Sequence, residues 1–166
     1  MSLRLRLTLI YTGLLSSVVL LLSIVIYSLI SILMVNLVDD RLAEGSNLII
    51  DALWVDSQSE IFLDIDTLNI PDNYYFQIWS ADKRLLIYSD SASELNGKMD
   101  SVGMLGESPI FRQVTLDRTA FRVLTVPLQA GGEPTGFLQI GLALTEIREA
   151  QRLIQIVFSI AAVFLL

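Results

Sequence analysis

The chain has 166 residues, of which 53% are hydrophobic, and a formal net charge of −7 at pH 7. It contains no cysteine and no histidine, which excludes disulfides, cysteine-ligated metals, thiol nucleophiles and every catalytic arrangement that needs an imidazole. All 18 acidic residues lie between Asp39 and Glu149 with only eight of the cations, and this strongly acidic segment argues against nucleic-acid binding.

The run from Leu7 to Val38 contains no Asp, Glu, Lys or Arg. Because about 20 apolar residues at 1.5 Å each cross a hydrocarbon core, this run predicts a transmembrane helix. Arg4 and Arg6 precede it, whereas Asp39 and Asp40 follow it, so the positive-inside rule places the N-terminus in the cytoplasm and the next domain outside. A cleaved signal peptide, the alternative, has a shorter apolar core.

Small residues recur on one side of this predicted helix. Gly13 and Ser17 are four residues apart, and Ser16 and Ser23 are seven apart, which brings each pair to one helical face. Because small residues let membrane helices approach closely, we expect a homodimer formed through the transmembrane helices. The alternative is that they are ordinary small residues of a membrane helix.

An acidic and partly apolar segment follows. From Asp39 to about Trp54, apolar residues recur at helical spacing, which predicts that an amphipathic helix continues the membrane helix outward, bent or weakened at Gly45. Residues 56–73 are then expected to form a polar connection. Its acids would suit calcium but lack the spacing of a calcium-binding loop, so we expect a solvated loop and no metal. These acids are Glu60, Asp64, Asp66 and Asp72.

The hydrophobic period changes to alternation at Tyr74. YYFQIWS, an ADKR turn and RLLIYSD predict one β-hairpin. After a polar connection over residues 89–109, with a short helix near Ser93, IFRQVTL and TAFRVLTVPL predict a second hairpin that turns at Asp117 and Arg118. AGGEPT is a dense turn signal, and GFLQIGLAL supplies a fifth strand. The pattern predicts an α+β domain, an antiparallel sheet flanked by helices.

Alternation divides this sheet into two faces. The wholly apolar face should be covered by helices, and it holds Phe76, Ile78, Leu124, Val126, Leu138 and Ile140. The other face combines aromatic and amide side chains, as ligand sites do, and it holds Tyr75, Gln77, Trp79, Val123, Thr125, Phe137 and Gln139. The alternative is that residues 89–109 cover this second face. The candidate ligand-binding residues are Tyr75, Gln77, Trp79, Arg112 and Gln139.

Two arginines on the predicted strands suit an anionic ligand, because a guanidinium binds carboxylate or phosphate through paired hydrogen bonds. Arg112 is retained as a candidate for that role. Alternation places Arg122 on the apolar side, where we expect it to pair with an acid of the helix from Asp39 to Trp54.

The pattern after Leu144 is helical and carries no charge from Leu153 onward. This apolar run is too short to cross a bilayer and lacks the polar face of an interfacial helix, so we expect a second transmembrane helix that begins here in a longer protein. The predicted organisation is a cytoplasmic N-terminus (1–6), a transmembrane helix (7–38), an extracytoplasmic domain (39–150) and the start of the second helix (151–166).

Three stretches resemble the input half of bacterial two-component sensor histidine kinases: SLRLRLTLIYTGLL, YFQIWSADKRLLIYS and FRVLTVPLQAGGEPTGFLQIGLAL. The resemblance implies a PAS-like fold, a five-stranded antiparallel sheet flanked by helices, that detects an external signal at the bacterial cell membrane. It implies a kinase core elsewhere in the full-length protein, since a chain without histidine cannot autophosphorylate. The chain itself is thus expected to be no enzyme and to need no cofactor.

Other classes share parts of this pattern. A chemoreceptor or a membrane-bound cyclic-dinucleotide enzyme has a similar input half. A membrane-anchored assembly protein would instead expose a large apolar patch or an edge strand. An extracytoplasmic enzyme is disfavoured by the missing His and Cys, although paired carboxylates such as Asp64 and Asp66 keep it open.

Overall fold

The computed structural model of the chain describes residues 3–55, 61–63, 68, 70–95, 97–130 and 132–144. Its first element is one uninterrupted helix, α1, from Leu3 to Asp51. In the described part of the chain, α1 is the one helix long and apolar enough to cross a membrane. The hydroxyls of Ser17, Ser23 and Ser28 donate to backbone carbonyls one turn back, which satisfies these donors without water.

Residues Leu37–Thr145 form a compact unit. Its five-stranded sheet has the order β4-β3-β7-β6-β5, and every neighbouring pair is antiparallel. A separate two-stranded sheet pairs β1 with β2. The strands are β1 (Leu53–Val55), β2 (Ile61–Leu63), β3 (Tyr74–Ser80), β4 (Leu85–Tyr88), β5 (Ile110–Leu116), β6 (Thr119–Ala130) and β7 (Glu133–Ala143).

Both predicted hairpins are present. The turn between β5 and β6 places Asp117 and Arg118 at φ values of 44° and 70°, the two positive φ values that a type I′ hairpin turn requires. The connection between β4 and β5 contains two short 3₁₀ helices, Asp90–Glu94 and Gly103–Leu105, the first of them at the position expected near Ser93. Within this connection we name residues Gly97–Leu105 the cover segment.

The domain end of α1 packs on the apolar face of the sheet. Val38, Leu42 and Ile49 are buried at helical spacing. An added Cβ at Gly45 would lie 3.0 Å from both Ile140 Cδ1 and Tyr74 Cε1, so Gly45 serves the close approach of helix and sheet. One long helix with a five-stranded antiparallel sheet confirms the α+β class and the sheet that the PAS-like expectation described.

The segment after α1 differs from its prediction. The helix ends at Asp51 and does not reach Trp54, because Leu53–Val55 pairs with Ile61–Leu63 inside the expected polar connection. Trp54 and Phe62 stack with ring centroids 4.6 Å apart, and aromatic cross-strand pairs favour such pairing. The predicted second membrane helix (151–166) and three of the four acids considered for calcium, Glu60, Asp64 and Asp66, lie outside the described residues.

Candidate functional site

Three polar side chains form a row across the sheet. Gln77 on β3 lies opposite Gln139 on β7, which lies opposite Thr125 on β6, and cross-strand partners share a face. Their exposed fractions are 1%, 0% and 0%. We name this side the amide face; it is formed by Tyr75, Gln77, Trp79, Val123, Thr125, Phe137 and Gln139.

The two glutamines bind the backbone of the cover segment. Gln77 Nε2 donates to the Gly97 carbonyl at 3.0 Å, and Gln139 Nε2 donates to the Asp100 carbonyl. The Met99 N–H donates to Oε1 of Gln77 at 3.3 Å and to Oε1 of Gln139 at 3.2 Å. The amide face therefore satisfies its buried amides through main-chain groups, as buried polar groups require.

Apolar side chains surround these bonds. Met99 packs with Phe121 and Val123 in one buried cluster, against which Tyr75 rests. The Tyr75 and Phe121 rings meet edge to face, with centroids 5.0 Å apart, a geometry that aromatic pairs favour. The Met99 side chain thus sits in a pocket whose walls are aromatic and aliphatic.

Trp79 borders the same face. Its indole N–H donates to Gln77 Oε1 at 3.3 Å, and only 6% of the residue is exposed. Lys98 Nζ lies 5.3 Å from the centroid of the Trp79 ring, within the range of a cation–π contact. Gln77 thus fixes the indole on the sheet, and Lys98 joins it to the cover segment.

A buried carboxylate lies over this face. Asp100 Oδ2 is 3.5 Å from Arg112 Nε, with 2% of the Asp100 side chain and 36% of the Arg112 side chain exposed. Asp100 Oδ2 and Thr125 Oγ1 find no hydrogen-bond partner among the residues that the structure describes. An added Cβ at Gly103 would lie 2.5 Å and 2.7 Å from these two atoms, so the cover segment approaches the sheet closely here because residue 103 is glycine.

The structure brings the five candidate ligand residues to one face. Arg112 joins the other four because it lies opposite Val123 in the β5–β6 register. Ligand binding by these residues stays a prediction; here the glutamines bind the cover segment, as the alternative interpretation of residues 89–109 expected. Sequence reasoning missed Met99 and Asp100, since neither lies in a periodic element.

A second polar contact joins α1 to the sheet. Arg122 Nε and Nη2 donate to the two carboxylate oxygens of Asp39, each at 2.7 Å, and 21% of each side chain is exposed. The hydrogen bonds to Asp39 raise the pKa of the Arg122 guanidinium, which also lies 5.8 Å from the Phe111 ring centroid. This is the structural pairing expected for Arg122.

Comparisons with known proteins add little to this geometry. No family model and no curated protein matches the chain. A solved structure similar to it is the PAS domain of BvgS from Bordetella pertussis, with 20% sequence identity and a TM-score of 0.37 over 50% of this chain and 84% of that domain. A similarity at this level implies nothing about ligand or activity.

Proposed function

We propose that this chain is the input part of a membrane-anchored sensor. Residues 39–150 would lie outside the cytoplasm, detect an external signal and transmit it to a cytoplasmic histidine kinase core in the same full-length protein, as in two-component signal transduction. The observation that carries the proposal is the bidentate contact between Asp39 and Arg122, because it ties the first charged residue after the apolar run to the sheet.

The continuity of α1 supports transmission. The helix has no break between Leu3 and Asp51, so its apolar part and its sheet-packed part belong to one element. Arg122 lies opposite Leu142 on β7, and the Leu144 N–H donates to the Ala120 carbonyl at 2.7 Å. The contact with α1 therefore lies at the end of the β6–β7 pair where β7 finishes, at Ala143.

A signal needs two states of this connection. A ligand that binds one arrangement of the domain more tightly shifts the population toward it, by no more than the difference in binding free energy. A shift of the sheet relative to α1 would then move the segments that follow β7. Arg4 and Arg6 precede the apolar run, whereas Arg41 is the one cation in the 30 residues that follow it, and this bias of basic residues supports a cytoplasmic N-terminus.

Cysteine labelling in intact cells tests the placement. The chain has no cysteine, so Leu3→Cys and Asp82→Cys each introduce a single thiol at a site that is about 80% exposed. A membrane-impermeant maleimide should modify Asp82→Cys in intact cells and Leu3→Cys only after permeabilisation. The reverse pattern, or modification of both in intact cells, would contradict the proposed topology.

A thermal-shift screen of the whole chain in detergent micelles tests ligand detection. Small carboxylates, amino acids, phosphate and divalent cations are the classes to add. A rise in melting temperature with one class, absent in Gln77→Ala and Trp79→Ala, would support a small-molecule sensor. If no class shifts the temperature, the result argues against a small-molecule ligand and favours a protein partner or the membrane as the source of the signal.

An exposed aromatic pair favours a second candidate function, a membrane-anchored assembly domain. Trp54 and Phe62 stack while 56% and 38% exposed, and Leu48 is 47% exposed. Exposed apolar groups of this kind mark interaction sites when they are contiguous. Light scattering of the chain with and without Trp54→Ser and Phe62→Ser distinguishes the two: an assembly domain loses a higher-order species, whereas the sensor's particle size is unchanged.

A further inference from the structure

The amide face binds the cover segment through its backbone, in the way that a peptide-binding site binds a peptide. Three of its backbone groups alternate as acceptor, donor and acceptor: the Gly97 carbonyl, the Met99 N–H and the Asp100 carbonyl. Two glutamine side chains supply all the complementary groups. Main-chain hydrogen bonds of this kind give affinity for peptides without regard to their sequence.

Two side chains of the cover segment supply the sequence-dependent contacts. Met99 is 2% exposed and fills the pocket with Phe121 and Val123. The neighbouring Asp100 carboxylate meets Arg112 at 3.5 Å. In the cover segment, an apolar residue followed by an acidic one therefore makes the contacts that depend on side-chain identity.

In the closed arrangement two buried oxygen atoms lack a hydrogen bond within the described part of the chain, although one of them lies 3.5 Å from Arg112 Nε. Among the residues that the structure describes, Asp100 Oδ2 and Thr125 Oγ1 have no hydrogen-bond partner. A buried polar group without a partner costs its desolvation free energy, and both atoms converge on Gly103. A separate peptide does not have to approach the sheet closely at the position of Gly103. Its carboxylate could therefore lie closer to Arg112 or Thr125.

We propose that the amide face is a peptide-binding site that the cover segment occupies in the absence of ligand. The ligand is a short extended peptide with an apolar residue followed by an acidic one, and it displaces the cover segment by forming the same backbone bonds. This inference rests on the proposed sensor function and names its ligand class and its regulation. Because only the open fraction binds, apparent affinity rises in proportion to opening.

Gly103→Ala is the variant that opens the site without altering its walls. The new Cβ would lie 2.9 Å from Thr125 Cβ on the sheet, so the segment must move away. Gly106→Ala is the matched control: the closest atom to its Cβ is 3.6 Å away and its φ is −89°. Asp100→Asn is a milder opening variant, because it removes the charge that pairs with Arg112 and preserves side-chain shape.

The probe is the synthetic peptide GKMDSVGML, the sequence of the cover segment itself, titrated against the full chain in detergent micelles. We expect it to bind Gly103→Ala at least tenfold more tightly than wild type or Gly106→Ala, with Asp100→Asn intermediate. The peptide GKMNSVGML should bind Gly103→Ala more weakly than GKMDSVGML, because it lacks the carboxylate for Arg112.

Hydrogen exchange of ¹⁵N-labelled wild-type protein gives an independent measurement. Saturating peptide should speed exchange of the Met99 amide, since the segment leaves the face. Equal affinities in Gly103→Ala, Gly106→Ala and wild type, or Met99 protection that peptide does not change, would overturn the inference. Neither outcome touches the cysteine-labelling result, so a failed peptide test and a failed sensor topology are told apart.

Discussion

Arg122→Ala removes the guanidinium that joins β6 to α1. The geometry of the contact with Asp39 gives the expected loss in free energy of unfolding. Exposed ion pairs contribute about 0–1 kcal/mol, whereas breaking a buried pair costs about 3–5 kcal/mol. With two bonds of 2.7 Å and 21% of each side chain exposed, this pair lies between these limits, and we expect a loss of about 2 kcal/mol.

Thermal unfolding of the full chain in detergent micelles measures this loss. For a unit of about 110 residues, ~2 kcal/mol corresponds to a decrease of roughly 8 °C in melting temperature. Arg84→Ala is the matched control, because Arg84 pairs with Asp82 at 3.6 Å while 79% of its side chain is exposed. Its expected shift is within about 2 °C.

A double-mutant cycle isolates the pair from other effects of the substitutions. Asp39→Ala and Arg122→Ala should be strongly non-additive, with a coupling free energy of about 1–2 kcal/mol, because the second substitution finds the contact already lost. An Arg122→Ala shift no larger than that of Arg84→Ala, or additive single substitutions, would refute the claim that Asp39 and Arg122 tie helix to sheet.

Three further predictions concern stability. Gln139→Leu should lower the free energy of unfolding, measured with a chemical denaturant, by about 2–3 kcal/mol, because the Asp100 carbonyl loses its hydrogen-bond donor. The control Gln113→Leu, at an exposed strand position, should leave this free energy nearly unchanged. Arg118→Gly should raise the melting temperature by about 4 °C, because glycine tolerates the φ of 70° at this turn; no rise would contradict the turn geometry. Burial, opposed by Arg41, raises the pKa of the Tyr74 hydroxyl from 10.0, so Tyr74 contributes stability that is present below pH 10 and lost above it. The advantage of wild type over Tyr74→Phe in melting temperature should therefore shrink above pH 10, and an advantage that grows there would contradict that sign.

The strands and the two faces of the sheet were predictable because side chains alternate with a period of two. Gln77, Gln139 and Thr125 were placed together by alternation alone, and the register confirms it. The Arg122 pairing followed from the same rule, because a charge on the helix-covered face needs a partner there. Patterns of this kind involve only residues close together in the sequence, so the sequence alone shows them.

The cover segment and the β1–β2 pair were harder to predict. Residues 97–105 have no period, so nothing in their order shows that Met99 and Asp100 bind two glutamines from distant strands. Strands of three residues, such as Leu53–Val55, are too short to show alternation and here look like the end of the preceding helix. Contacts between residues distant in the sequence determine the conformation of both elements.

The most direct test of the sensor account is a fusion of residues 1–150 to the second transmembrane helix and cytoplasmic core of a characterised histidine kinase, reconstituted in membrane vesicles. Autophosphorylation from ATP is measured for wild type, Arg122→Ala and the control Arg84→Ala. The account predicts that Arg122→Ala changes the rate by about fivefold or more, while Arg84→Ala leaves it unchanged. Equal rates in all three fusions would contradict transmission through the contact between Asp39 and Arg122.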